Sequence, residues 1–487
     1  MRKSNLTAAL LLAGLLLTTT AVGRPDAGAS SPIRAEELYS WCKFLAQPSF
    51  QGRLTGHEGY AEAARWAAGK FKEWGLRSIH PNDNHLQPFP CSYTLVDAAE
   101  MTLILPGKMS ASDASKPEEK ALAARKDFLP YFFSGSASRE AEVVFAGWGI
   151  SAPEAGYDDY AGLDVKGKFV VCFQGSPDPA NTALIPYNRH LVRQKVAREK
   201  GAAGLFYVQT SLVGSPNGEW KEDFLPGVIS MDVADALLAE KGVSAAKTLE
   251  AMKVFGRSLA FPLKARIRYS VRSRHFGDAI GYNVVGFIPG SDPRLRGDFL
   301  VIGGHLDHLG RQLGEIYPGA NDNASGSAVV MGLAKAFSRL PRGPKRSVVL
   351  ILFGGEEMSL AGSRYFVDYP PDGLKAFDAM FNFDMNGVGD GLTCYNSPGA
   401  DNLIAALRRA DEPGHLLREL DEAHVTSPSG SDYAAFGLKG IPFLSFFSNN
   451  FEGKYHAPED TAYQVNPDIM ADIAGVAYRT ALSWADR

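Results

Sequence analysis

The side chains best suited to hold a metal or move a proton stand at the ends of short apolar runs or in Gly-rich loops. Phe299-Leu300-Val301-Ile302-Gly303-Gly304 leads into His305-Leu306-Asp307, and Pro318-Gly319-Ala320-Asn321 leads into Asp322. The run from Val348 to Phe353 leads into Gly354-Gly355-Glu356-Glu357, the run from Ala379 to Phe383 leads into Asp384, and His456 follows Tyr455. Imidazole nitrogens and carboxylate oxygens are the donors a borderline divalent metal takes in a catalytic site, with one position left for water. His305, Asp322, Glu357, Asp384 and His456 exceed what one catalytic zinc uses. They suit two metals roughly 3.5–4 Å apart with a carboxylate between them. Asp322, in a tight loop before a helix, is the expected bridge.

Within the pair Glu356-Glu357, one carboxylate bound to metal is locked, while its neighbour is free to take a proton from the attacking water. Asp307, two residues beyond His305, is placed to accept the other ring N–H of that histidine. Taken singly, each residue has a plainer reading: a lone histidine is usually structural, and a Glu pair opening a helix is favourable charge at a helix amino terminus. Their joint occurrence favours the metal reading. His57, His80, His190, His275, His308, His415 and His424 are expected to be ordinary core or surface histidines.

Strands of a parallel sheet are buried on both faces and read as continuous apolar runs, and their carboxyl ends open on the crevice where ligands sit. The acids and histidines that end these runs should therefore converge. Strand and helix alternate through the second half, with helices over 323–340, 358–366, 401–410 and 467–484 and strands over 348–353, 379–383 and 441–447. This predicts an α/β fold with a mixed, largely parallel sheet sandwiched by helices. Earlier in the chain, 35–39 opens one amphipathic stretch and Glu58 to Trp74 a second, stopped by Gly75. Gln87 to Leu105 has strand character despite Pro88 and Pro90, and 106–126 has the composition of a solvated excursion.

The segments His305-Leu306-Asp307, Gly319-Ala320-Asn321-Asp322-Asn323-Ala324-Ser325-Gly326, Gly355-Glu356-Glu357, Asn382-Phe383-Asp384 and Tyr455-His456 resemble, in order, the motifs of the M28 family of co-catalytic zinc peptidases. The resemblance implies two zinc ions per chain, bridged by Asp322, with His305 and Asp384 completing one site and Glu357 and His456 the other. It also implies Glu356 as general base, Tyr455 as donor to the developing oxyanion, and a cis peptide between Asp322 and Asn323. Ser431-Asp432-Tyr433 resembles a further family segment, in which Asp432 either orients the site or caps a helix. Residues 128–265, with Asp159-Tyr160-Ala161-Gly162-Leu163-Asp164-Val165-Lys166-Gly167-Lys168 leading into a strand, resemble an inserted β-rich protease-associated (PA) domain. The catalytic part is then 32–127 and 266–487. The insertion is expected at the carboxyl ends of the strands, as a wall of the crevice. Asp158, Asp159 and Asp164 read as turn chemistry, since the acid pattern of a calcium loop is missing.

The chain has 487 residues, 45% hydrophobic and 21% charged, with a formal net charge of -4, so it is globular and offers no basic face for nucleic acid. Residues 1–23 read as a signal peptide: Arg2 and Lys3, an apolar run from Leu6 to Leu17, and Ala21-Val22-Gly23. The expected protein is exported, periplasmic or extracellular, with no stable membrane anchor and a peptide as substrate. Cys42, Cys91, Cys172 and Cys394 show no CxxC spacing, and Cys172 lies in an apolar run. The leading reading is a dizinc aminopeptidase. A carboxypeptidase or dipeptidase of the same fold would need a cationic pocket for the terminal carboxylate, a glutaminyl cyclase would use one zinc, and a receptor-like relative would have lost ligands.

Overall fold

The apolar runs become strands whose alternate side chains face two different cores. In the computed structural model, which describes residues 32–79, 84–107, 109–110, 113–114, 116–178, 180–374, 376–427, 429–450 and 454–487, the strands that matter for function are these. β1 is Leu86–Leu105, β2 Ala137–Ala146, β3 Phe169–Phe173, β4 Gly204–Gln209, β5 Gly227–Ser230 and β6 Ala260–Ile288; β7 is Asp298–His305, β8 Ser347–Phe353, β9 Ala376–Phe383, β10 Leu392–Asn396, β11 Leu417–Glu422 and β12 Phe443–Ser448. The expected signal peptide over 1–23 lies outside the described residues.

The main sheet runs β11-β10-β12-β9-β7-β8-β6. β7 is parallel to β8 and to β9, and β9 to β12, whereas β6 is antiparallel to β8 and β10 to β12. Leu300, Ile302, Val348, Leu350 and Leu352 enter one core with the helices Ala35–Leu45, Glu58–Glu73, Gly326–Ser338 and Pro467–Ala485. Their neighbours Val301, Val349, Ile351 and Phe353 enter a second core on the opposite face with Phe366 and Phe436. Each such buried side chain contributes roughly 1.5–3 kcal/mol. With both faces covered, a strand can be apolar at every position, and that is the origin of the continuous runs.

A further core gathers β2 to β5, which are mutually parallel through β2-β3-β4-β5. It reaches beyond 128–265, taking Val96, Met101, Leu103 and Leu122 from before that stretch and Ile267, Tyr269 and Val271 from after it. The reason is that β1 and β6 form one long antiparallel pair, from Leu86 opposite Val284 to Ile104 opposite Arg266, shared between the cores. Register shifts at Arg272/Ser273 and Phe276/Ala279 mark the passage from one to the other. Within the expected solvated excursion, Glu118–Leu122 pairs with β1 as an exposed strand. Pro88 and Pro90 are accommodated because that part of β1 pairs with β6 on one side, and the register records no partner for it on the other among the described residues.

Several expectations shift by a few residues. The helix expected from Asn323 begins at Gly326, because Asp322 (φ -107, ψ 94) and Asn323 (φ -134, ψ 41) are not helical. The helix expected from Met358 begins at Ala361, after Ser359 and Leu360 turn with φ of 63 and 59. Asp158 and Asp164 accept from Tyr160 N and Lys166 N as turn residues do, and buried Asp159 accepts from Trp148 N, Ile150 N and Tyr157 Oη. All four cysteines are buried free thiols. Among the described residues, no helix is long and apolar enough to cross a membrane.

Candidate metal centre

Three parallel strands deliver the site. His305 ends β7 opposite Phe353 of β8, and Gly303 lies opposite Asn382 of β9, so His305, the turn carrying Glu356-Glu357, and Asp384 emerge at one edge. Asp322 arrives on the loop before helix Gly326–Ser338 and His456 on the loop before helix Pro467–Ala485. The peptide between Asp322 and Asn323 is cis, as the resemblance implied.

Asp322 lies between two groups. Its Oδ1 is 3.4 Å from His305 Nε2, which is 3.3 Å from Asp384 Oδ1. Its Oδ2 is 3.3 Å from His456 Nε2, which is 3.0 Å from Glu357 Oε2. Donors held at about 2.0–2.1 Å by a tetrahedral metal are separated by roughly 3.3–3.4 Å. Three of the four distances fall on that edge length, and each oxygen of Asp322 serves a different group. All five side chains are buried, with exposures between 1% and 7%. Among the described residues, His456 Nε2 has no hydrogen-bond partner of regular geometry.

Each histidine is turned by its other nitrogen, the arrangement a metal-ligating imidazole needs. His456 Nδ1 lies 2.8 Å from Gly214 O, and His305 Nδ1 lies 3.2 Å from Asp307 O. The carboxylate of Asp307 is farther from that ring, at 3.7 Å; its Oδ1 instead accepts from Glu356 N at 3.2 Å. Asp307 therefore orients the ring mainly through its main chain, and its side chain fixes the turn that carries Glu356. Burial opposes protonation of His305 and His456, yet the carboxylates around them outweigh it and raise both well above the ordinary histidine range. This acid surplus calls for positive charge, which a divalent metal on neutral imidazoles supplies. The residues present thus fit a metal.

Burial, reinforced by Glu357, Asp384 and Asp432 and opposed by His305, pushes the Glu356 carboxyl well above its usual range. Tyr455 stacks on His456 with ring centres 3.8 Å apart. Burial of the hydroxyl and then the carboxylates of Glu357 and Asp322 push it well up, although the residue as a whole is 46% exposed.

A model of peptidase family M28 matches residues 283–481, the stretch that contains every one of these side chains. Residues 283–481 of the chain belong to peptidase family M28. The chain is 34% identical over 172 residues to leupeptin-inactivating enzyme 1 of Streptomyces exfoliatus, covering 35% of this chain and 36% of that protein. It is 25% identical over 213 residues to aminopeptidase YwaD of Bacillus subtilis (strain 168), covering 41% of this chain and 44% of that one. The chain thus spans less than half the length of the curated relatives it matches. Among solved structures, an aminopeptidase from Aneurinibacillus sp. strain AM-1 shares the fold over 92% of this chain and 93% of its own, with TM-score 0.65 and 22% identity. A zinc aminopeptidase from Bacillus subtilis does so over 94% and 96%, with TM-score 0.59 and 19% identity.

The M28 centre also holds residues that the sequence did not single out. His308, fully buried, has Nδ1 2.9 Å from Glu357 Oε1 and 3.8 Å from Asp322 Oδ2. With Asp322 and Glu357 it is compact enough for a metal, but these distances fit a hydrogen bond that orients Glu357 better than a shared coordination edge. Asp460 accepts from Asn321 N at 2.8 Å and Asp322 N at 3.0 Å, tying the bridge loop to the His456 loop. Arg53, fully buried, donates to Leu306 O at 2.8 Å, Pro318 O at 2.6 Å, Gly319 O at 2.7 Å and Leu45 O at 2.7 Å, clamping the His305 and Asp322 loops together. Asp432 makes no cap bond to the helix it precedes. Burial, with Asp307 and Asp384 adding, pushes it up to about 7 against His305 and Ser363. For His308 the available signal was its position three residues after His305; for Asp460 it was four residues after His456.

Proposed function

We propose that this chain is an exported aminopeptidase that holds two zinc ions and removes the first residue of peptides. The observation that carries the reading is the shared carboxylate: the two oxygens of Asp322 face His305 with Asp384 on one side and His456 with Glu357 on the other. When bound, the zinc ions would acidify a water and polarise the scissile carbonyl. Glu356 takes the proton of the attacking water and hands it to the leaving amine. Its elevated pKa suits that return of the proton. Tyr455, kept protonated by the surrounding acids, donates to the oxyanion. His308, Asp307, Asp460 and Arg53 hold the ligands and the base in place.

The amino end is favoured because Arg53, a buried cation beside the centre, is spent on four main-chain carbonyls and offers no pocket for a terminal carboxylate. The relatives named above as aminopeptidases support the same choice. We also propose that 128–265 is a PA-type insertion, supported by its β-rich, parallel strand series, and that residues 1–23 direct export. The test is product analysis with a zinc-loaded sample and a free-ended peptide. Release of the first residue alone is expected; release of the last residue or internal cleavage would reject the aminopeptidase reading.

A further inference from the structure

A cavity of about 440 Å³ lies where the core built from β2 to β5 meets the metal-binding turns. Its walls include Phe132, Phe133, Trp220, His275, Met358 and Ser359. Three of those walls run into the metal centre. Met358 and Ser359 follow Glu357 directly, so the Ser359 Cα lies within two peptide links, at most about 7.6 Å, of the Glu357 Cα. Phe132 packs on Tyr317, just ahead of the Asp322 loop, with ring centres 5.3 Å apart. The 214–220 segment supplies Gly214 O to His456 Nδ1 and Asn217 to the Ser359 hydroxyl.

The lining is aromatic, and its charges are spent. Trp220 stacks on His275 at 4.5 Å with planes 4° apart, and His275 Nδ1 is engaged by Thr94 Oγ1 at 2.9 Å. Glu219, the acid in the wall, is held by Arg198 at 2.8 Å and Lys221 at 2.6 Å. Among the described residues, the Trp220 indole N–H is buried without a hydrogen-bond partner. A cavity of this size, with aromatic and aliphatic walls interrupted by polar side chains such as Ser92, Thr94 and Ser359, can take a ligand side chain.

We propose that this cavity is the subsite for the second residue of the peptide substrate and that it selects an uncharged aromatic or long aliphatic side chain there. The inference rests on the aminopeptidase reading. The side of the scissile bond follows from Glu356: the group that returns a proton to the leaving amine sits on the leaving side, and the chain continuing from it, through Met358 and Ser359, forms the cavity wall. The PA-type region then acts as a specificity element as well as a wall of the crevice.

The experiment measures kcat/KM for tripeptides Ala-X-Ala and X-Ala-Ala with X as Gly, Leu, Phe, Glu or Lys, using zinc-loaded wild type, Trp220→Ala and Trp220→Phe. The wild type is expected to prefer Phe over Gly at the second position by about tenfold or more. Trp220→Ala should bring that ratio below about threefold, Trp220→Phe should restore most of it, and ratios at the first position should not move. A wild-type ratio near one, or an unchanged ratio in Trp220→Ala whose thermal unfolding matches wild type, overturns the proposal. Calorimetric binding of Ala-Phe-Ala and Ala-Gly-Ala to zinc-loaded Glu356→Gln reads the cavity without turnover. A tenfold binding preference lost in the Glu356→Gln, Trp220→Ala double variant supports the subsite even if wild type hydrolyses no peptide, which would instead reject the aminopeptidase reading; equal binding of both peptides rejects the subsite.

Discussion

Removing the carboxylate of Asp460 should loosen both metal sites without touching a ligand. Asp460 is 3% exposed and accepts two buried backbone N–H groups, from Asn321 at 2.8 Å and from Asp322 at 3.0 Å. A buried donor stripped of its acceptor costs about 1–3 kcal/mol, so Asp460→Ala should lose roughly 2–6 kcal/mol from the two together. Burial already pushes the Asp460 carboxyl above its ordinary range, with the two N–H groups opposing the shift. That burial cost disappears with the side chain, so the lower part of the range applies, about 2–4 kcal/mol. Because the freed loop carries Asp322, the proposed bridge, zinc affinity should fall by about 10–100-fold, the usual effect of losing a group that positions a ligand. Asp460→Asn keeps one acceptor and should lose about half as much stability. Urea unfolding in chelator gives the first quantity and competition with a chromophoric chelator the second. If Asp460→Ala unfolds within about 0.5 kcal/mol of wild type and binds zinc within twofold of it, the loop is held by something else.

Asp322→Ala should empty both sites, and metal analysis that still finds two zinc ions per chain would exclude the bridging role. Arg53→Met strands carbonyls of Leu45, Leu306, Pro318 and Gly319 and should cost more than about 4 kcal/mol; a thermal midpoint close to wild type would show that the clamp is dispensable. His190 Nε2 lies 3.0 Å from Asn217 O on the crevice wall, and burial lowers its pKa from 6.5 to about 4. The unfolded chain therefore protonates first, so this contribution is complete above about pH 6.5 and is lost as pH falls towards about 4. It amounts to at most roughly 3 kcal/mol, less whatever solvent reaches the half-buried residue. The stability of wild type relative to His190→Phe should accordingly fall between pH 7 and pH 4.5, and a pH-independent difference would remove His190 from the account.

Among the proposed metal ligands, His305 and Asp384 were legible because each sits where a largely apolar strand stops. β7 and β9 are covered on both faces, so His305 is the first polar residue after the run over 299–304 and Asp384 the first acid after the largely apolar run over 379–383. Asp460 left no such mark, since its function is to accept N–H groups 138 and 139 residues away, and the pattern around it is that of any acidic loop. Arg53 is similarly silent: four carbonyls satisfy it, and no acid spaced along the sequence announces it. The shared strand pair was hidden for another reason. β6 runs unbroken from Ala260 to Ile288 with alternating burial over its first part, so the change of core occurs within one strand rather than in a linker. β11, Leu417–Glu422, carries only two part-buried leucines among four charged residues, at a three-residue spacing that does not read as a strand.

The central claim is that Glu356 moves the proton at a two-zinc centre it does not bind. Glu356→Gln keeps the shape and removes the base, so kcat measured on the variant loaded with zinc tests the claim most directly. The account predicts two zinc ions per chain, as in wild type, and a fall in kcat of about 10²-fold or more. A zinc-loaded variant that keeps more than about a tenth of wild-type kcat would contradict it.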